Sequence, residues 1–304
     1  MKYICAQPAT QYFAWQIDVM LHSFVTTGVN LGNVHIVCAI HGEVDPYFNK
    51  LMKKYIGVSF YFYEDTRKDK RYISSIRPNI LKKHFKANPS LKNETIFYHD
   101  SDIVFTKPLK LPLNVLQDEM CYLSDTISYI GHDYIKSKGD EVLTAMCEIV
   151  GIDEETIKDN EKNSGGAQYI MKGIDEYFWY DVENDCNRLF NEITELNNML
   201  TEKNGPEYNK LQIWCADMWA VLWNLWKRNK QTKVIPEMDF SWSVGEKDLW
   251  HKNAIYHNAG VTDKDDHLFF KGKYINELPD LNLKVDENTC SYNYYKILQQ
   301  ALYE

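Results

Sequence analysis

Short apolar segments alternate with amphipathic segments through the first third of this chain, and this alternation restricts the choice of fold more than any other feature. In the second of these segments, apolar residues recur at helical spacing, which predicts a helix with one buried face. Strands that alternate with helices form a mostly parallel sheet that is covered on both faces. We therefore predict a Rossmann-like α/β fold from the segments 3–6, 12–26, 34–40, 46–55, 58–63, 76–86 and 96–99.

The pattern beyond the first third is looser, with longer helices and loops. Apolar spacing predicts helices around 140–150, 175–201 and 211–226. Two adjacent glycines, Gly165 and Gly166, precede an apolar strand, and they indicate either a close approach of the backbone to a ligand or a hairpin turn. No internal repeat, low-complexity run or flexible linker divides the chain, which favours a single domain.

Composition argues against several classes of protein. The formal charge of −9 disfavours a protein whose main task is to grip phosphate backbones. Seven cysteines without CxxC spacing predict reduced thiols, with neither a disulfide framework nor a zinc site. The chain enters a predicted strand at once and contains no apolar run of 18 residues, so neither a signal sequence nor a membrane anchor is predicted. We expect a soluble, cytoplasmic protein.

Two carboxylates follow the last of the early strands. The apolar segment 96–99 runs directly into Asp100-Ser101-Asp102, and in an extended chain residues i and i+2 face the same way. Two such carboxylates suit one hard divalent cation, manganese or magnesium. The alternative is a strand that ends in a solvated acidic turn. A second Asp-x-Asp, at 263–265, follows no apolar strand and serves as a comparison.

Several motifs occur together with this pair. They are Tyr12-Phe13-Ala14-Trp15-Gln16, Arg77-Pro78-Asn79, Asp100-Ser101-Asp102 and Trp214-Cys215-Ala216-Asp217-Met218-Trp219. As a set they resemble the GT-A-fold glycosyltransferases, and within them the plant hydroxyproline O-arabinosyltransferases and peptidyl-serine galactosyltransferases. The last motif has Asp217 where that family has Glu. The spacing matches through the first 110 residues.

A later segment extends the resemblance. His257 and Gly260 are similar to the late His-x-x-Gly of several retaining GT-A families, in which a lysine follows. The resemblance implies that His257 is the third metal ligand and that the lysine contacts the leaving diphosphate. Lys271 is the first candidate for this lysine, and Lys273 and Lys264 compete with it.

The resemblance also implies an activity. The chain would transfer a hexose or pentose from a UDP-sugar to a hydroxyl group, with retention of configuration. Mn²⁺ or Mg²⁺ on Asp100, Asp102 and His257 would neutralise charge on the leaving diphosphate. One GT-A domain would span 1–304, with a nucleotide-binding half at 1–110, a half for donor sugar and acceptor at 111–275, and a C-terminal tail at 276–304.

Further roles are predicted for residues at strand ends and in the matched motifs. Gln7 and Pro8, at the end of the first strand, would lie near the nucleotide, and Arg77 would lie near the sugar or the phosphates. Asp217 would act in catalysis by bonding a sugar or acceptor hydroxyl, with Trp219 as a stacking face. The donor sugar would be lined by Asn163, Gly165, Gly166 and the catalytic residue Gln168.

Two other functions stay open from the sequence. The segment 100–104 also resembles the first motif of haloacid-dehalogenase-type phosphatases, in which one Asp is the nucleophile and the other a general acid. That motif follows the first strand of its sheet, whereas three predicted strands precede it here. A non-catalytic protein that binds sugar nucleotides or glycans is the other alternative. The acceptor is open between a glycan, a protein and, less favoured, a modified nucleic-acid base.

Overall fold

The computed structural model describes residues 1–303, which contain ten strands and twelve α-helices. The strands are β1 (Lys2–Pro8), β2 (Val34–Ile40), β3 (Ser59–Glu64), β4 (Ile96–His99), β5 (Ile103–Phe105), β6 (Cys121–Asp125), β7 (Gly165–Met171), β8 (Thr232–Val234), β9 (Phe240–Trp242) and β10 (Ile255–His257). The helices are α1 (Gln11–Thr26), α2 (Tyr47–Lys54), α3 (Ile76–Ala87), α4 (Leu113–Gln117), α5 (Ile127–Ile130), α6 (His132–Lys136), α7 (Asp140–Val150), α8 (Glu154–Asp159), α9 (Glu176–Asn204), α10 (Ala216–Lys227), α11 (Lys247–Lys252) and α12 (Cys290–Tyr303).

Seven of the strands form a mostly parallel sheet in the order β3-β2-β1-β4-β7-β6-β8. β1, β2 and β3 pair in parallel, with Tyr3 opposite Val34 and His35 opposite Ser59, whereas β6 and β7 pair antiparallel. Most residues of β1 and nearly all of β2 are buried, as expected for strands covered on both faces. The predicted α/β fold with a mostly parallel sheet is confirmed.

The segments predicted from periodicity are present. In the first third, β2 and β4 have the predicted bounds, and the other five segments differ by one or two residues at either end. The helix predicted at 140–150 is α7, and the one predicted at 175–201 is α9, whose first turn is capped by the Asp175 side chain accepting from Phe178 N at 3.2 Å. The prediction was wrong for the start of α10, because a 3-10 turn, Ile213–Cys215, precedes Ala216.

The chain divides into two compact units. The first contains Met1–Glu64, Tyr98–Leu116 and the chain from Pro236 onward. In this unit β5, β10 and β9 form a separate three-stranded sheet, and α1 packs against α12. Its buried core includes Trp15, Val104, Tyr256, Phe269 and Tyr294.

The second unit contains Asp65–Phe97 and Gln117–Ile235. Its long helix α9 packs against α3, α7 and α10, and its strand β6 pairs with both β7 and β8. Three tryptophans, Trp179, Trp219 and Trp223, are fully buried here. The division of the chain at 110 and 275 stays a prediction.

Two expectations from composition concern the cysteines and membrane-spanning helices. All seven cysteines are thiols outside any disulfide, and six of them are buried. Within residues 1–303, no helix combines the length and the apolar character that crossing a membrane requires. The cytoplasmic location stays a prediction.

Candidate functional site

Strand pairing brings Asp100, Asp102 and His257 together in the first unit. The two aspartates lie in the short turn between β4 and β5. β10 runs antiparallel to β5 and places His257 opposite Ile103, the residue that follows Asp102. The backbone pairing continues beyond the strand, because Asn258 N donates to Asp102 O at 2.9 Å. The histidine is therefore fixed against the turn that carries both carboxylates.

The two aspartates lie in a turn and not in an extended strand. We predicted both carboxylates on one side of a strand, but β4 ends before Asp100 and the next residues form a turn. Alternation along a strand therefore does not bring Asp100 and Asp102 together. Their approach depends on the turn and on the pairing of β5 with β10, which local spacing does not reveal.

The three side chains have the geometry of a metal site. Their ligand atoms all lie within 4.8 Å of one another. His257 Nε2 is 3.2 Å from Asp102 Oδ1 and 3.8 Å from Asp100 Oδ2. A hard divalent cation with bonds of about 2.1–2.4 Å can join ligand atoms up to about 4.2–4.8 Å apart. Two carboxylates and one imidazole therefore fit such an ion, and the imidazole suits manganese better than magnesium.

Lys271 balances the charge of this cluster. Its ammonium group contacts Asp102 Oδ2. Burial by itself raises the pKa of Asp102, which is only 6% exposed, but the charges of Lys271 and His257 outweigh burial and hold that pKa well below its ordinary value. Burial lowers the pKa of Lys271, and the neighbouring Asp102 more than reverses this, so the lysine stays charged. The competing lysines, Lys264 and Lys273, are exposed.

Two aromatic side chains for which no role was predicted lie beside the cluster. Trp242 stands opposite His257 in the parallel pairing of β9 with β10, and the two rings stack with centroids 6.2 Å apart and an interplanar angle of 9°. Tyr12 lies close enough for the charges of the Lys271 ion pair to act on its phenol, whose pKa is raised mainly by burial. Gly260 has a φ of +83°, and a Cβ there would lie 3.4 Å from the Trp242 ring.

In the second unit, the predicted site residues Arg77 and Asp217 bind each other. Arg77 Nη2 donates to Asp217 Oδ2, and the Tyr72 hydroxyl donates to Asp217 Oδ1 at 2.5 Å and accepts from Asp217 N at 3.0 Å. Burial and the adjacent carboxylate raise the pKa of Tyr72, which keeps the hydroxyl protonated as a donor. The chain itself therefore supplies the partner that a buried Asp217 requires. A contact of Asp217 with a sugar or an acceptor stays a prediction.

Gly165 and Gly166 begin strand β7 and do not form a hairpin turn. A Cβ on Gly165 would lie 2.5 Å from Leu123 Cβ, and one on Gly166 would lie 2.6 Å from Met218 Cε. Gly165 therefore requires glycine, because the Ser124 carbonyl oxygen also lies 2.5 Å from such a Cβ, whereas at Gly166 the flexible end of the Met218 side chain could shift. Their contact with a donor sugar stays a prediction.

A bulge follows these glycines in β7. Ser124 pairs with Gly166 and Leu123 with Tyr169, so Ala167 and Gln168 lie where the register between β6 and β7 shifts. Gln168 is fully buried, and its Oε1 accepts from Ser124 Oγ at 2.7 Å. The bulge thus directs the Gln168 side chain into the interior of the unit, and its catalytic role stays a prediction.

The backbone conformation of Ala167 in this bulge leads to a prediction about the stability of the protein. Ala167 has a φ of 63°, a left-handed conformation that costs a residue with a Cβ about 1–2 kcal/mol. Ala167→Gly should raise the free energy of unfolding by about 0.5–1 kcal/mol, because glycine relieves the strain but gains entropy when unfolded. Asn229→Gly is the matched control: Asn229 has a φ of 56°, and asparagine tolerates this region, so the gain should be smaller. Urea unfolding measures both variants, and a loss of stability in Ala167→Gly would contradict the strain argument.

The other predicted residues have these positions. Gln7 and Pro8 occupy the last two positions of β1, as predicted. Asn163 ends a 3-10 turn, and its carbonyl oxygen accepts from Thr232 Oγ1 at 3.3 Å. The stacking role of Trp219 was wrong, because its ring is fully buried and its Nε1 donates to the Ile130 carbonyl at 3.0 Å. A buried indole offers no face to a ligand.

Comparison with known proteins finds similarity among solved structures and none among sequences. The sequence matches no protein-family profile and no curated protein sequence. Among solved structures, the chain is similar to the apo structure of WbbM, a bifunctional glycosyltransferase, with a TM-score of 0.46 and 10% identity. The likeness covers 86% of this chain and 46% of that chain, so this chain spans about half the length of the protein it resembles.

Proposed function

We propose that this protein is a metal-dependent glycosyltransferase that moves a sugar from a UDP-sugar to a hydroxyl group. The observation that carries the proposal is the cluster of Asp100, Asp102 and His257, whose ligand atoms lie within 4.8 Å of one another beside the Lys271 ammonium group. A diphosphate binds through its oxygens both to divalent cations and to ammonium groups. A site with both kinds of partner suits such a leaving group.

The residues of this site would hold the metal ion and the departing diphosphate. Asp100, Asp102 and His257 would hold Mn²⁺ or Mg²⁺, and the ion would supply the positive charge that stabilises the departing diphosphate. Trp242, stacked on the imidazole of His257, would keep this ligand in one orientation. Lys271 shares one contact with Asp102 and has further N–H donors for a phosphate oxygen.

The remaining roles rest on the sequence resemblance. We propose a GT-A domain, UDP as the nucleotide and retention of configuration. Gln7 and Pro8 would lie near the nucleotide, and Arg77, which forms an ion pair with Asp217, would lie near the sugar or the phosphates. Asp217 would contact the sugar or the acceptor. The donor sugar would be lined by Asn163, Gly165, Gly166 and Gln168.

A panel of UDP-hexoses and UDP-pentoses tests the proposal. With Mn²⁺ and an extract of total cell glycans and proteins as acceptors, we expect one UDP-sugar to release UDP at least about tenfold faster than the others. Mass analysis of the extract should show the added sugar on a hydroxyl group. Chelation should stop both signals, because the diphosphate would lose its cation.

The same assay separates the two alternative functions. Release of phosphate from p-nitrophenyl phosphate, without release of UDP, would favour a phosphatase that uses Asp100 and Asp102. Binding of a UDP-sugar without any turnover would favour a non-catalytic binding protein. The position of Asp100 already disfavours a phosphatase, because Asp100 follows β4 and three strands, β1 to β3, precede β4.

A further inference from the structure

One tryptophan of the second unit is exposed beside the Asp217 ion pair. Trp214 has 57% of its surface exposed, whereas Trp179, Trp219 and Trp223 of the same unit are almost completely buried. Leaving a large apolar ring in water sacrifices burial energy of about 25 cal/mol per Å². Single exposed apolar side chains are common at protein surfaces, so the exposure of Trp214 is informative only together with contacts that hold the ring in place.

Trp214 is also held in place. The Tyr72 hydroxyl that bonds Asp217 lies 2.9 Å from the Trp214 carbonyl oxygen. The indole stacks on the ring of Tyr129 with centroids 6.1 Å apart and an interplanar angle of 25°, and its Nε1 donates to Gln212 Oε1 at 3.3 Å. The exposed ring is therefore fixed before any ligand binds, which lowers the entropy lost on binding.

We propose that the surface formed by Trp214 and Tyr129 binds a carbohydrate ring of the acceptor, so that the acceptor of the proposed transferase is a glycan. The inference rests on the proposed function and adds the class of acceptor to it. The negative face of an aromatic ring attracts the slightly positive C–H groups on one face of a sugar. The hydroxyl groups at the edge of that sugar would remain free for polar neighbours.

The residues around the surface formed by Trp214 and Tyr129 favour a sugar over an apolar partner. Within four residues of Trp214 or Tyr129 in the chain, Asp125, Ser128 and Gln212 are polar and exposed, whereas the apolar Ile127 and Ile213 are half-buried. A protein interface needs a contiguous apolar patch of several hundred Å², which two rings with polar neighbours do not provide. A sugar matches the arrangement, because it has an apolar face and a polar edge.

The net negative charge of the chain and a nearby carboxylate disfavour the stacking of a nucleic-acid base on Trp214 and Tyr129. The chain has a formal charge of −9, and Asp125 adds a carboxylate close to Tyr129 in the sequence. Phosphate backbones are bound by clustered lysine and arginine. The main chain of Trp214 is also connected to the proposed acceptor residue, because the Tyr72 hydroxyl contacts both the Trp214 carbonyl oxygen and Asp217 Oδ1.

An array of immobilised oligosaccharides tests the inference without requiring turnover. The protein carries a fluorescent label, and its binding to each oligosaccharide is measured. We expect the wild-type protein to bind at least one oligosaccharide, Trp214→Ala to bind it at least about tenfold more weakly, and Trp214→Phe to stay within about threefold. Tyr177→Ala is the matched control, because Tyr177 is an aromatic residue of the same unit with 64% exposure. Its affinity should equal that of the wild type.

A second readout uses the exposure of the indole. Iodide should quench part of the tryptophan emission in the wild type, and the bound oligosaccharide should protect this part. UDP affinity should be equal in all variants, so that a failure of the proposed function is seen separately. Four results would each overturn the inference. They are equal binding by the wild type and Trp214→Ala, the absence of any bound oligosaccharide, preferential binding of a single-stranded RNA, and a dimer that Trp214→Ala dissociates.

Discussion

Replacing Asp102 by asparagine should lower the rate of UDP release from the preferred UDP-sugar by at least about 100-fold, which corresponds to about 2.7 kcal/mol of transition-state stabilisation. The amide keeps the size of the side chain but removes the charge that a divalent cation and Lys271 both require. Steady-state kinetics at saturating Mn²⁺ measure the effect.

The chain provides a matched control for this variant. Asp263 belongs to the second Asp-x-Asp and is exposed, so Asp263→Asn should leave the rate unchanged. Both variants should keep a folded thermal transition. A rate for Asp102→Asn within threefold of the wild type would contradict its place in the site. Loss of the folded transition would assign Asp102 to the structure of the turn instead.

Asp217→Asn should keep near-normal affinity for UDP and metal but lower sugar transfer by more than about tenfold. Asparagine keeps one acceptor oxygen, so it can accept from Arg77 or from Tyr72 but not from both, and it removes the negative charge that orients the guanidinium group. UDP affinity by calorimetry and transfer by UDP release separate the two effects. Unchanged transfer together with a lower melting temperature would make Asp217 a packing residue.

Asp185→Asn is a matched control, because Asp185 and Asp217 are both 8% exposed. Asp185 Oδ2 accepts from Asn224 Nδ2 at 2.8 Å, and burial raises the pKa of Asp185. A raised pKa in the folded state means that ionised Asp185 destabilises the fold as the pH rises through that pKa. Removing this charge should therefore cost neither stability at pH 7 nor sugar transfer.

Local periodicity was sufficient for the fold. Strands β2 and β4 and helix α7 have the predicted bounds, because their apolar spacing and their flanking residues agree on the same element. The start of α10 was placed too early, so Trp214 was counted with the helix. Trp219 was chosen as the stacking face because it neighbours Asp217 in the motif, but Trp219 and Trp223, one helical turn apart, are both in the core.

Contacts between distant segments could not be predicted from spacing. Trp242 stacks on His257 only because β9 and β10 pair in parallel, and short apolar strands do not encode their partners. Arg77 and Asp217 were each assigned to a ligand, but their charges are opposite and the fold brings them into contact. A motif identifies residues that matter, and only the structure distinguishes a ligand contact from an internal ion pair.

Calorimetric titration of UDP into the wild-type protein, with Mn²⁺ and after chelation of all divalent cations, tests the central claim most directly. Because Asp100, Asp102 and His257 would hold a cation between the protein and the diphosphate, we expect Mn²⁺ to tighten UDP binding at least about tenfold, or about 1.4 kcal/mol. His257→Ala should lose most of this gain. Equal UDP affinity with and without metal would contradict the assignment of this cluster as the diphosphate-binding site.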